Sequence, residues 1–379
     1  MDEQSCRACA GRVGNLVLDL GEQPACDYFP GRDVTGPDPA YPLQMWLCSR
    51  CGLAQLVGDP TVPEEPRGTE PAALKAQAVD AVDKVVAAGL LPRGGRVTEY
   101  GSPHGGSWLG LLKGCGLTSA GASDPADVIV DCFGMMHAPD QSSALAERVA
   151  RLASGGVLLL QYHSLDTIVR CGQWNALRHG HYAYYSTTAM AAMLAANEFS
   201  PFAAWEFDLY GGTVLLAARR DADGLAKPDD AVRSLLARDD AVGVRHADVL
   251  TSLQTRARLH ARSLREWLVA ERSAGRTIVG YGAASRAVAL LRLAEADRTL
   301  LHAVIDASPA KAGLRMPGTD VPIFSPAELA RRRPDAVLLF VADLREEVRA
   351  AFPHVEAAGG RWIDADSLDS FLVRGSGGL

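Results

Sequence analysis

Residues 95–112 read GRVTEYGSPHGGSWLGLL. The run reads as a strand, a glycine-rich turn and the start of a helix, the opening of a parallel α/β unit. Working outward, DVIVDCF (127–133) and GGVLLLQYH (155–163) are apolar runs set between Gly-rich turns. The pattern carries over residues 72–220. Upstream, DPTVPEEPRGTEP (59–71) is rich in Pro and Glu and reads as a linker. Downstream, residues 228–275 are Arg- and Ala-rich and helical. TIVGYGAASRAVALL (277–291) then opens a second α/β unit over residues 276–379. The expected fold class is α/β in separate parts, with residues 1–58 as a small cysteine-bearing lobe.

The chain has 379 residues, more than one hydrophobic core usually serves. A net charge of −7 argues against nucleic acid as main partner, because phosphate binding wants a basic face. No apolar run reaches membrane-spanning length, so no membrane partner is expected. The polar start MDEQSCRACAG does not read as a signal peptide, which points to the cytoplasm. In a reducing compartment the eight cysteines read as metal ligands or core residues rather than disulfides.

Cys6-Arg-Ala-Cys9 and Cys48-Ser-Arg-Cys51 are two C-x-x-C knuckles. Each two-residue gap lets both sulfurs reach one ion, and two knuckles supply four thiolates for a closed tetrahedral zinc site. With no position left for water, the zinc is expected to be structural. Cys26, Cys115, Cys132 and Cys171 lie outside the pattern.

C-R-A-C, then LDLGEQPACDYF, then YPLQMWLCSRCGLAQL resemble the zinc-binding front of bacterial natural-product sugar C-methyltransferases, which act on nucleotide-linked 4-keto-deoxysugars. The resemblance implies a zinc lobe, a class I methyltransferase-like (Rossmann-like) middle domain and a Rossmann-like C-terminal domain. Residues 95–112 fall on the family's first methyltransferase motif. Glu99 and Gly101 match it, but its Asn-Asp-Gly triplet reads Pro103-His104-Gly105. Proline lacks an N–H, and histidine replaces a carboxylate. Ser123-Asp124-Pro125 resembles the turn whose carboxylate grips a ribose.

Spacing adds a second departure. Such a sheet needs three crossovers between its first strand and the strand leading to the active site, and each takes a dozen or more residues. Between Glu99 and Asp127 there is room for one helix (106–115) and one strand (117–122). The adenine pocket is therefore expected to be truncated and S-adenosylmethionine not to bind. QWNALRHGHYAYYS (173–186) resembles the family's catalytic segment, placing His181 on its catalytic His, with Arg178 and Gly180 in place of Tyr and Glu. His179 and Tyr184 are further candidates, and His137, His163 and His104 are other histidines suited to proton transfer. Tyr210-Gly211-Gly212-Thr213 resembles a His-Gly-Gly-Ser hairpin, and Phe133 stands where an Asn is usual.

In the C-terminal unit, Gly280 and Gly282 permit a tight turn at a helix N-terminus, a phosphate site, and Asp306 ends the next strand. An NAD oxidoreductase is one reading. The family resemblance over 277–362 competes, and it implies a sugar-nucleotide site using Gly282, Ala283, Ser285, Arg286, Lys311 and Arg345. The expected function is a homologue that binds a nucleotide sugar and moves a proton next to a carbonyl without a methyl donor. Alternatives are a working S-adenosylmethionine-dependent C-methyltransferase, and a non-catalytic subunit with a partner protein of the same pathway.

Overall fold

Val128, Val130 and Leu159 enter one hydrophobic cluster, whereas Ile129, Leu158 and Leu160 enter another. Successive side chains of a strand point to opposite faces, so these runs are strands buried on both sides. The computed structural model describes residues 4–61, 70–102, 105–224 and 227–368. Its strands are β1 (Gly14–Pro24), β2 (Ala40–Cys48), β3 (Ala54–Leu56), β4 (Arg96–Gly101), β5 (Thr118–Ser119), β6 (Ala126–Cys132), β7 (Leu152–His163), β8 (Ala183–Tyr184), β9 (Phe199–Phe207), β10 (Thr213–Arg220), β11 (Ile278–Tyr281), β12 (Val304–Ile305), β13 (Ile323–Phe324), β14 (Ala336–Leu339) and β15 (Arg361–Asp364).

The middle sheet has the order β5-β4-β6-β7-β10-β9. Strands β5, β4, β6 and β7 run parallel, and β10 is antiparallel to both neighbours. Helix Ala72–Ala87 covers one face with Ala78, Ala81, Val82 and Val85. Helices Gln141–Ala150 and Thr187–Ala195 cover the other with Leu145, Val149, Met190 and Leu194. Asp140 and Ser186 start these two helices by accepting the backbone N–H of Ser143 and Ala189, at 2.9 and 3.0 Å.

On the outer side of β4 lies only β5 among the described residues, where three crossovers would place two strands. The strand expected over 117–122 shrinks to two exposed residues. Asp124 N–H donates to the Gly121 carbonyl at 3.1 Å, which closes a turn leading straight into β6. The middle unit is thus a shortened α/β sheet.

The first sheet, β1-β2-β3-β8, takes its fourth strand from the middle of the chain: Ala54 pairs with Tyr184 and Gln55 with Ala183. Spacing within residues 1–58 could not reveal this strand. The third sheet, β13-β12-β11-β14-β15, is parallel throughout. Between the α/β units, helix Asp230–Val242 ends at Gly243, whose φ of 77° is left-handed. Helix Ser252–Ser273 then buries Leu253, Ala257, Leu264 and Leu268 in a core shared by the first sheet and the C-terminal unit. No helix among the described residues is long and apolar enough to cross a membrane.

Candidate functional site

The thiols of Cys6, Cys9, Cys48 and Cys51 lie within 4.8 Å of one another. Cys6 Sγ is 3.5 Å from Cys51 Sγ, and Cys9 Sγ is 3.6 Å from Cys48 Sγ. A zinc–sulfur bond of about 2.3 Å gives a tetrahedron with edges of roughly 3.8 Å. The four sulfurs therefore fit a zinc ion. The knuckle is tied to its surroundings through Arg7, whose guanidinium donates to the carbonyls of Leu56 and Pro139.

A cavity of about 370 Å³ opens between the two α/β units. It lies at the carboxyl ends of their parallel strands, where the order of connections reverses and open sheets bind ligands. Ser102 follows β4, Cys132 and Phe133 close β6, and Gln161 and His163 end β7. From the facing unit come Gly282 after β11, Asp306 after β12 and Val341 after β14. Gly282 has a φ of +91°, and a Cβ there would stand 3.0 Å from both Val341 methyls. Glycine is thus required by conformation and by space. Helix Ser285–Leu293 follows Ala284 with no side chain capping it, and Ala284, Ser285 and Arg286 line the cavity, an arrangement suited to an anion.

Residues 173–186 bridge the two units. Arg178 Nε donates to His181 Nε2 at 2.9 Å, with Nδ1 at 3.3 Å, and the Arg178 guanidinium also donates to Ser285 Oγ. The Arg178 backbone N–H donates to the Tyr184 hydroxyl at 3.1 Å. Burial raises the Tyr184 phenol and keeps it protonated. The His181 ring meets His137 edge-on with centroids 4.7 Å apart, and His137 Nδ1 lies 3.0 Å from the Gly180 carbonyl oxygen. His163 Nε2 lies 2.9 Å from Gln173 Oε1; burial first, then the Arg286 charge, depress it to about 3, so it is neutral. The cavity wall combines imidazoles, a phenol and an uncapped helix start with three cations, Arg178, Arg286 and Lys311, and five carboxylates, Glu70, Asp306, Asp343, Glu347 and Asp366.

Among the expected residues, Arg178, His181, Tyr184, Gly282, Ala283, Ser285, Arg286 and Lys311 line this cavity together. Lys311 is buried, donating to the Ala283 carbonyl at 2.8 Å and lying 4.6 Å from the Phe29 ring centroid. His179 does not line it: its Nε2 sits 3.3 Å from the Pro42 carbonyl oxygen, and its ring packs on Tyr41. The His181 N–H donates to the Arg178 carbonyl at 3.3 Å and Gly180 has a φ of 79°, so residues 178–181 form a turn that carries His179 away from the cavity. Arg345 pairs instead with Asp364. Asp306 accepts from the N–H groups of Ala283 and Ser308 at 2.7 and 2.8 Å, so it braces the glycine turn.

On the donor side, Glu99 accepts from Ser107 Oγ and the Trp108 N–H, both at 2.5 Å, and so holds the start of the next helix. Glu99, Gly101 and Asp124 are absent from the cavity wall, and Asp124 is exposed at the sheet edge. The substitutions at Pro103 and His104 lie outside the described residues. Sequence reasoning passed over Gln161 and gave Tyr210 and Phe133 no role. A polar residue inside the apolar run LLLQYH was the available signal for Gln161.

Two α/β units facing each other across a pocket, with a four-cysteine lobe in front, define a three-part α/β protein. Residues 6–64 match the zinc binding domain family, and residues 208–365 match the C-methyltransferase C-terminal domain family. The chain is 24% identical to the C-methyltransferase NovU of Streptomyces niveus, over 94% of each chain. The resemblance drawn from the motifs therefore holds from end to end. Among solved structures, magnesium protoporphyrin IX methyltransferase from Synechocystis PCC 6803 is 15% identical with a TM-score of 0.29, covering 39% of this chain and 84% of that one. An O-methyltransferase family protein from Burkholderia thailandensis is 14% identical with a TM-score of 0.27, covering 40% of this chain and 57% of that one.

Proposed function

We propose that the chain binds a nucleotide-linked keto-deoxysugar, or a related natural-product intermediate, and moves a proton next to its carbonyl without S-adenosylmethionine. One observation carries the reading: a single cavity joins His181, Arg178 and Tyr184 to the helix end at Gly282–Arg286 and to Lys311. The diphosphate meets the N–H groups of Ser285 and Arg286, with the Arg286 and Lys311 charges nearby. His181 takes the proton from the carbon beside the carbonyl, and the C–H electrons form an enolate. Arg178 or the Tyr184 phenol faces the oxygen as negative charge develops. A proton delivered to the opposite face of that carbon epimerises the sugar, one delivered to the former carbonyl carbon isomerises it where the first carbon bears a hydroxyl, or the enolate expels a neighbouring leaving group.

S-adenosylmethionine does not fit this reading. Its ribose and adenine would lie beyond β4, where the sheet stops at β5, and the Glu99 carboxylate is committed to Ser107 and Trp108. The second reading, a working C-methyltransferase, is favoured by the end-to-end relationship to a C-methyltransferase. One experiment separates them. The full chain is incubated in D₂O with a thymidine diphosphate-linked 4-keto-6-deoxyhexose, with and without S-adenosylmethionine. Deuterium entering carbon without the donor is the expected result. Methyl transfer that requires the donor would establish the second reading. A pathway role in antibiotic deoxysugar formation in the cytoplasm, and the partition at 1–58, 72–220, 228–275 and 276–379, belong to the same proposal.

A further inference from the structure

Gln161 is buried to 3% exposure at the carboxyl end of β7, yet it lines the cavity and its Nε2 has no hydrogen-bond partner. A buried amide donor left unpaired is destabilising, and native proteins keep few such groups without a use. Its backbone position is fixed: Cys132 of β6 is its partner in register on one side and Leu215 of β10 on the other, and its carbonyl accepts the Phe133 N–H at 3.2 Å. The residue is therefore held on a rigid strand rather than a loop.

His163, two residues on and so on the same face of β7, also lines the cavity. It is held neutral by burial and by the charges of Arg286 and Arg178, which reach this end of the strand. A preorganised N–H donor stabilises an oxygen that gains negative charge.

We propose that the Gln161 side-chain amide donates to the carbonyl oxygen of the bound ligand and holds that oxygen as it becomes an enolate. The proposal rests on the keto-sugar reading above and names the group that orients the ketone. The substrate class narrows accordingly, to ligands carrying an acceptor-only oxygen beside the carbon that loses its proton. Arg178 uses its Nε on His181 and one Nη1 donor on Ser285. Gln161 adds a donor that no protein group uses.

The test uses the zinc-loaded full chain and a thymidine diphosphate-linked 4-keto-6-deoxyhexose, comparing wild type with Gln161→Leu and Gln161→Met. Difference infrared spectroscopy should show the ketone stretch of the bound probe below its solution value in wild type and back towards it in both variants. Deuterium exchange should fall by about 10²- to 10³-fold, the loss typical of removing one oxyanion donor. Affinity for the probe should change by less than about tenfold, because the diphosphate end is untouched. The melting temperature should stay level or rise, since an unpaired buried polar group has been removed. A wild-type stretch equal to that in solution overturns the proposal. So does an unchanged stretch and exchange rate in both variants, which would leave proton transfer itself intact. A Gln161-dependent stretch with no exchange in wild type would instead defeat the proton-transfer reading and leave the oxygen contact standing. Lower melting temperatures in both variants with an unaltered stretch would make Gln161 a packing residue and overturn its role.

Discussion

Replacing Cys48 by Ser removes one of four ligands from a site whose sulfurs are already at metal-binding spacing. The 3.5 and 3.6 Å sulfur separations are within about 0.3 Å of the edge expected for a zinc–thiolate tetrahedron. Little rearrangement is therefore needed to bind the ion, and wild-type protein should carry about one zinc per chain. Structural zinc contributes ~10–16 kcal/mol to folding in isolated knuckle peptides, comparable to the whole stability of a domain at ~5–15 kcal/mol. Its loss should unfold the knuckles rather than shift them slightly. The first sheet also holds apolar side chains such as Leu18, Leu43, Met45 and Leu47 in a core shared with helix Ser252–Ser273, so unfolding should stay local. Its effect should travel through β3, which pairs with Ala183 and Tyr184 just after His181. Metal analysis should find less than about 0.1 zinc per chain in Cys48→Ser, a drop that follows from losing the closed four-ligand site. Hydrogen exchange should accelerate at 54–56 and 183–184. Unchanged zinc content refutes the four-cysteine site; lost zinc with unchanged protection at 183–184 refutes the coupling to the segment that carries His181.

Gly282→Val places a side chain at φ +91° and within 3.0 Å of Val341, so thymidine diphosphate affinity measured by calorimetry should fall at least ~10-fold, from about 1–2 kcal/mol of backbone strain plus displacement of the helix end. An unchanged Kd would move the nucleotide elsewhere. His181→Ala should abolish deuterium exchange into the keto-sugar while leaving its affinity within a few-fold; full exchange in that variant would shift the base to His137 or His163. His163 has a folded value of about 3, below the ordinary 6.5, so the unfolded chain takes up its proton first as pH falls. The stability it confers is present above about pH 6.5 and lost as pH drops from there toward about 3, at up to ~1.4 kcal/mol per pH unit. Urea unfolding of His163→Gln should show a shallower slope between pH 4 and 6, and identical slopes would show that His163 is solvated.

Elements with local signatures were legible. Two-residue cysteine spacing, short apolar runs such as DVIVDCF, and the glycine turn before Ser285 each encode their geometry within a few residues. The shortened sheet was legible too, because a parallel crossover has a minimum length and residues 100–126 leave no room for another. What escaped depends on distant contacts. The strand at 183–184 exists because β3 offers an edge to it, and two residues carry no periodicity of their own. His179 and His181 are near-identical in sequence context, yet only packing decides that the first meets Pro42 and Tyr41 while the second meets Arg178 and His137. Gln161 became visible only when its amide was found buried without a partner.

Phe133 and Tyr210, both on the cavity wall, have φ of 59° and 56°. Left-handed backbone is rare for bulky side chains and holds about 1–3 kcal/mol of strain at each position. Their rings meet edge to face with centroids 6.1 Å apart, and the Arg286 guanidinium lies 5.6 Å from the centre of the Tyr210 ring. Random or consensus-guided screening for heat resistance would thus be drawn to these two sites, since glycine relieves the backbone at either one. Each such gain would dismantle an aromatic wall of the pocket. A thermostable descendant selected without a binding screen would be expected to have lost its ligand there first.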